Sequence, residues 1–324
     1  DLETIVDNIG LPLSSVNLVY SNTGTIGPQD GDIQITLKPG HRPGAAYIKR
    51  LREVLPGQFP GTQFAFLPAD MTSQILNFGA PAPLDVAIAG RDLMANERYA
   101  MGILNRMRSI PGLSDVRLQQ STSYPQLKVH VDRVRASQLG ITERDVTNSM
   151  VASLAGTSQV APAFWLNPRN GVSYAIVAAT PQYRVSSMAD LASVPVTSSS
   201  NSALQVLGGL ATFTREPSAA VVSHYNIMPS FDIYATPQGR DLGAVSSDIQ
   251  RMLDTEFGKS RPKGSVVTLR GQVGTMKTAF TGLLFGLLGA VVLIYMLIVV
   301  NFQSWLDPFV IITALPAALA GIVW

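Results

Sequence analysis

Apolar and polar residues alternate with period two in eight segments of this chain, the pattern of strands with one buried face. The segments are Ser15–Tyr20, Asp32–Leu37, Gln63–Phe66, Leu84–Ala89, Asp115–Gln119, Gln126–Val131, Ser230–Tyr234 and Ser265–Leu269. Helical spacing lies between several of them. Ala45–Leu55 aligns Ile48, Leu51 and Leu55; Asp92–Ser109 aligns Leu93, Tyr99, Ile103 and Met107; Asp241–Phe257 aligns Leu242, Val245, Ile249 and Leu253. Residues 1–9 are expected as a helix tail. Thr142 is the expected N-cap of a helix to Leu154, with Asp145 at the capping-box position and Gly156 beyond its end.

Strand–helix–strand order recurs over 32–67 and 84–120. Each unit has a Pro-Gly turn before its last strand, Pro60-Gly61 and Pro111-Gly112. The second unit continues as strand and helix through 126–155. The helix and strand that would complete it return only at 241–270, after strand 230–235. The pattern predicts an α+β fold in which a β-α-β-β-α-β domain is split by an insert near 157–228. The insert is rich in Ser, Thr, Gly and Asn, poor in helical pattern, and is expected to be β-rich. The first unit lacks an opening strand, as expected of an excerpt from a longer protein.

The pattern changes at the C-terminal side. Ala279–Val300 carries no charge, and at about 1.5 Å per residue it is long enough for a hydrocarbon core of about 30 Å. Asn301–Asp307 is a short polar break containing Trp305. Pro308–Trp324 is uncharged again and is expected to begin a second span. The composition agrees: of 24 Lys+Arg and 22 Asp+Glu residues, only Asp307 lies beyond Lys277. Gly282, Gly286 and Gly289 share a helix face that would admit close helix packing. The connecting loop has no Lys or Arg, so orientation cannot be read from it.

The net charge of +2 gives no basic stripe, and nucleic acid is not an expected partner. With no cysteine, disulfides and thiolate metal sites are excluded. His41, His130 and His224 are dispersed, and no metalloprotease, P-loop or nucleophile-elbow motif occurs. The Gly-bearing stretch Thr23–Gly31 lies between strands and is expected to be a mobile loop. The residues point to no enzyme, no cofactor and no metal site. Phe64 and Phe66 share one strand face, as do Arg117 and Gln119. Two readings stay open for each pair: core face and solvated face, or the facing walls of a cleft for amphiphilic molecules.

Three stretches resemble one family: Pro68–Val86 (PADMTSQILNFGAPAPLDV), Lys128–Val146 (KVHVDRVRASQLGITERDV) and Val300–Ile322 (VNFQSWLDPFVIITALPAALAGI). They look like the second half of resistance-nodulation-division efflux transporters of the hydrophobe/amphiphile branch, in the same order. The resemblance implies ferredoxin-like porter subdomains at 1–83 and at 84–156 plus 229–272, with a docking subdomain inserted at 157–228. It implies a transmembrane helix at 273–300, a loop at 301–307 and the start of the next helix at 308–324. It further implies a homotrimer in the bacterial inner membrane, with residues 1 to about 272 in the periplasm. Such a protein exports amphiphilic compounds in exchange for protons and meets a periplasmic adaptor and an outer-membrane channel. Phe64, Phe66, Arg117 and Gln119 match substrate-pocket positions. Ser21, Gly24, Ile26, Gly27 and Asp30 fall in the family's switch loop, here without its aromatics. The alternatives are a Cu(I) or Ag(I) exporter of the same superfamily, which would gather thioethers although no Met precedes Met71, and a non-transporting membrane-anchored envelope domain.

Overall fold

The computed structural model describes residues 1–10, 29–68, 71–77, 80–120, 122–198, 204–313 and 320–321. In chain order the elements begin with β1 (Leu2–Ile9), β2 (Gly31–Leu37), α1 (Gly44–Gln58), α2 (Met71–Leu76), β3 (Leu84–Ala89), α3 (Leu93–Met107) and β4 (Leu113–Leu118). Next come β5 (Tyr124–Val131), α4 (Arg133–Gln138), α5 (Glu143–Leu154), β6 (Ala163–Leu166), β7 (Ser173–Ile176), α6 (Met188–Ala192), β8 (Pro195–Val196), β9 (Gln205–Val206), α7 (Leu207–Leu210) and β10 (Ala211–Ser218). The chain continues through β11 (Ser223–Tyr225), β12 (Met228–Pro237), α8 (Leu242–Met252), β13 (Val266–Gly271), α9 (Gln272–Phe302) and α10 (Leu306–Thr313). Two compact units result, residues 1–122 with 219–324, and residues 123–218.

The first unit is built on an antiparallel sheet in the order β13-β3-β12-β4, with β11 pairing the first residues of β12. The strands at 84–89, 113–118, 228–237 and 266–271, with α3 and α8, give the β-α-β-β-α-β sequence, interrupted between β4 and β11. Period-two alternation divides the two faces. Leu84, Val86 and Ile88 of β3 and Phe231, Ile233 and Ala235 of β12 pack with Tyr99, Ile103, Met107, Val245 and Ile249 into one buried core. Each fully buried Ile or Leu there contributes roughly 1.5–3 kcal/mol of transfer free energy. Among the expected inward residues of α3, Leu93 is exposed, at the helix's first position, while Ile48, Leu51 and Leu55 of α1 and Leu242 of α8 are half-buried. The Asp92 carboxylate caps that helix, accepting from the Ala95 N–H at 2.9 Å.

Residues 1–9 are a strand and not a helix tail: β1 pairs antiparallel with β2, from Leu2↔Leu37 to Ile9↔Gly31. Leu2, Ile5, Val6 and Ile9 do recur at helical spacing. However, Thr4, Ile5 and Val6 are β-branched, lose side-chain freedom in a helix and suit a pleated ladder. Ser15–Tyr20 lies outside the described residues. Gln63–Phe66 also differs from expectation: it belongs to no sheet. In place of a ladder it is held by side chains of α1 and β4.

In the second unit β5 pairs with β10 along its whole length, Tyr124↔Ser218 to Val131↔Ala211. Residues 124–154 therefore fold with 163–218 and not with the 84–120 strands that precede them. Periodicity identifies a strand without naming its partner, and the Glu216-Pro217 step interrupts the alternation that would have marked β10. The expected capping box is present: Thr142 Oγ1 accepts from the Asp145 N–H at 3.2 Å, and Asp145 Oδ2 accepts from the Thr142 N–H at 2.9 Å. Ala136, Ile141, Val146, Leu191, Val196, Leu207 and Leu210 form this unit's core. Two-residue and four-residue ladders, β8–β9 and β6–β7, complete it.

Helix α9 leaves the first unit's sheet through Gly271 and runs 31 residues, with a mean hydropathy of 2.9 over an 18-residue stretch. It is long and apolar enough to cross a membrane.

Candidate functional site

Asp115 organises the region where Phe64 and Phe66 lie. Between Tyr234 and Thr236 the β12–β4 register shifts, since Tyr234 pairs with Arg117 and Thr236 with Ser114. The extra β4 residue forms a bulge in which Asp115 adopts φ 55°, a left-handed conformation that Asp tolerates better than most residues. Its side chain, 4% exposed, is re-aimed toward α1. There it accepts from Arg52 Nε at 2.9 Å, from Arg52 Nη2, and from the Phe66 N–H at 3.1 Å. Arg52 Nη1 also donates to Gln238 Oε1 at 2.8 Å.

The aromatic pair gathers on this pedestal. The Arg52 guanidinium sits 5.3 Å from the centre of the Phe66 ring, within cation–π range. Phe64 meets Phe59 edge to face at 6.1 Å. Gln63 Nε2 donates to the Val116 carbonyl at 3.3 Å. Phe64 and Phe66 are half-buried, so neither simple reading, core or solvent, describes them.

Arg117 is on the same stretch of β4. It donates to the Asp115 carbonyl at 3.3 Å, and its guanidinium lies 5.4 Å from the Tyr234 ring centre. Burial lowers the Arg117 pKa, opposed by Asp115 and Tyr234. Burial raises that of the Tyr234 phenol, reinforced by Asp85 and Asp232. Gln119 is half-buried, and its backbone N–H donates to the Asp232 carbonyl at 2.9 Å. Thus Phe66 and Arg117 share Asp115, while Gln119 joins the neighbouring β12. Arg52 and Asp115, which position the group, were not singled out by alternation. The available signal was a charged residue three positions past the Pro111-Gly112 turn, where a bulge can turn a side chain inward.

Of the switch-loop positions, Ser21, Gly24, Ile26 and Gly27 lie outside the described residues. Asp30 is described, and its carbonyl accepts from the Gly10 N–H at 2.8 Å. Two open hollows of ≈ 440 and ≈ 470 Å³ lie elsewhere: one between α8 and the start of α9, lined by Ser246, Gln250, Thr255 and Lys277, the other beside α4 in the second unit. Among the described residues, no group of three or more His, Cys, Asp or Glu side chains assembles as a metal site.

A family model described as the AcrB/AcrD/AcrF family matches residues 4–324. The chain belongs to the AcrB/AcrD/AcrF family. Among relatives of this family member, the cobalt-zinc-cadmium resistance protein CzcA of Cupriavidus metallidurans is 23% identical, over 98% of this chain and 31% of the relative. The putative cation efflux system protein SilA of Salmonella typhimurium is 27% identical, over 90% of this chain and 27% of its own length. The multidrug resistance protein MdtC of Klebsiella pneumoniae is 25% identical, over 95% and 29%. The chain thus spans about a third of these relatives. A crystal structure of a heavy metal efflux pump shares the fold, with a TM-score of 0.78 and 21% identity over 97% of this chain and 31% of that one.

Proposed function

We propose that this chain is part of a proton-driven exporter of amphiphilic organic compounds, working in the bacterial inner membrane. The observation that carries the reading is the match to the AcrB/AcrD/AcrF family across residues 4–324, which takes in both the folded units and the apolar helix. On this reading the first unit contributes ferredoxin-like porter subdomains, the second contributes to a docking subdomain, and α9 crosses the bilayer. The ring contact between Tyr295 and Trp305, 6.2 Å apart, suits the headgroup level at the end of α9. Phe64 and Phe66, backed by the Arg52–Asp115 pair, offer apolar area with little directional demand, which suits a promiscuous binder. The trimer, the adaptor and the outer-membrane channel belong to the same proposal.

A second reading, export of a metal cation, is favoured by the names of CzcA and SilA. Cells making the protein that contains this chain distinguish the two. The amphiphile reading expects reduced accumulation of a fluorescent cationic dye, abolished by collapsing the proton gradient. It also expects Phe66→Ala to change the dye profile without lowering protein level. Tolerance of cadmium or silver without any change in dye accumulation would instead establish the metal reading, and export that persists without a gradient would overturn both.

A further inference from the structure

The sheet face opposite α3 and α8 holds a compact charge cluster outside the Phe64–Phe66 region. Register places Asp85 of β3 directly between Tyr234 of β12 and Arg270 of β13. Arg270 Nε donates to Asp85 Oδ2 at 2.9 Å, and Arg270 Nη2 reaches the same oxygen at 2.8 Å and Asp232 Oδ1 at 2.6 Å. The guanidinium also stacks on Tyr225 of β11, 4.8 Å from the ring centre. Asp232 is fully engaged, since its second oxygen accepts from Gln120 Nε2 at 2.8 Å. Asp85 is not. Its Oδ1 is buried without a hydrogen-bond partner among the described residues, and the residue is only 5% exposed.

This arrangement leaves one cation between two buried carboxylates and one buried oxygen with nothing to accept. A buried, unpaired carboxylate oxygen is costly unless a proton sits on it. Arg117 of β4 lies over Tyr234 on the far side and donates to the Asp115 carbonyl, while the Asp115 carboxylate of the same strand is engaged by Arg52. We propose that Asp85 is a proton-binding site on this sheet face, where a proton relieves the repulsion between Asp85 and Asp232 across the shared Arg270 guanidinium.

Burial first, and then the Asp232 charge, push the Asp85 carboxyl up to about 7, against the opposing pull of Arg270. The folded state therefore binds this proton more tightly than the unfolded chain. The resulting contribution to stability is full below the unfolded value of about 3.9 and is lost as pH rises through about 7. In an exporter, the acidic side of an energised membrane would keep the site loaded; that consequence rests on the export reading, whereas the proton site does not.

Infrared titration of the detergent-solubilised protein tests the proposal. The wild type is expected to show a protonated-carboxyl band that falls to half intensity near pH 7 and is missing in Asp85→Asn. Asp232→Asn removes the neighbouring negative charge and is expected to move the midpoint down. If Asp85→Asn does not fold, the shift in Asp232→Asn alone decides the assignment. A band that persists in folded Asp85→Asn, an unmoved midpoint in Asp232→Asn, or no such band in the wild type between about pH 5 and 8 would overturn it.

Discussion

Arg52→Ala is expected to destabilise the first unit by about 3–5 kcal/mol, the range for stranding one partner of a buried ion pair. Arg52 and Asp115 are 16% and 4% exposed, so water cannot replace the lost guanidinium at Asp115. Four contacts break together: two bonds to Asp115, the bond to Gln238 Oε1 and the stack on Phe66. The Phe66 N–H to Asp115 bond, the Gln63 to Val116 bond and the Phe64–Phe59 ring contact are left to hold the Gln63–Phe66 segment. Equilibrium denaturation of Arg52→Ala, Asp115→Ala and the double variant measures this. The double variant should cost clearly less than the sum of the singles, because each single leaves a buried group without its partner. Additive costs would mean that the pair does not support the segment.

Gly271→Ala is expected to be as severe, for a backbone reason. Gly271 has φ 93° and ψ −151°, a region that side chains other than glycine's hydrogen do not enter freely. A Cβ there would lie 2.3 Å from the Pro83 carbonyl oxygen, which also accepts the Gln272 N–H at 3.0 Å. Backbone strain of about 1–3 kcal/mol and overpacking of about 1–3 kcal/mol add to about 2–6 kcal/mol. For a unit of this size that corresponds to a fall in unfolding temperature of about 10 °C. The residue ends β13 and begins α9, so the damage falls where the sheet passes into the apolar helix. A thermal midpoint within about 1 °C of wild type would show that the junction tolerates a side chain and that the tight approach to Pro83 is dispensable.

How far the chain could be read in advance depended on whether a feature was local. The helices were legible because their apolar stripes and caps are written within a dozen residues; Thr142 and Asp145 form the capping box that their spacing predicts. The strands of the β13-β3-β12-β4 sheet were legible for the same reason. Pairing was not local. Nothing in Gln126–Val131 reveals that its partner is 211–218, so that strand was grouped with the wrong neighbours. Residues 1–9 carried both a helical spacing and β-branched side chains, and the adjacent β2 edge decided for strand. At the candidate site, Phe64, Phe66 and Arg117 were readable as pairs along a strand, but the bulge at Asp115 that unites Phe66 with Arg117 depends on β12. Asp85 and Asp232 left a fainter trace, single acids inside the apolar runs LDVAIA and SFDIYA. An acid in such a run must meet a cation, and only the register of β13 shows that the cation is Arg270.

The central claim is that α9 lies in lipid while the preceding units face water. The chain contains no cysteine, so single cysteines report without background from this segment. Ser260→Cys lies on an exposed turn before β13, and Gly286→Cys lies in the middle of α9. With a membrane-impermeant maleimide applied to spheroplasts, Ser260→Cys should label readily and Gly286→Cys should stay unlabelled, with both variants in the membrane fraction. Equal labelling of the two positions, or recovery of the protein from the aqueous fraction with Gly286→Cys shielded, would contradict the account.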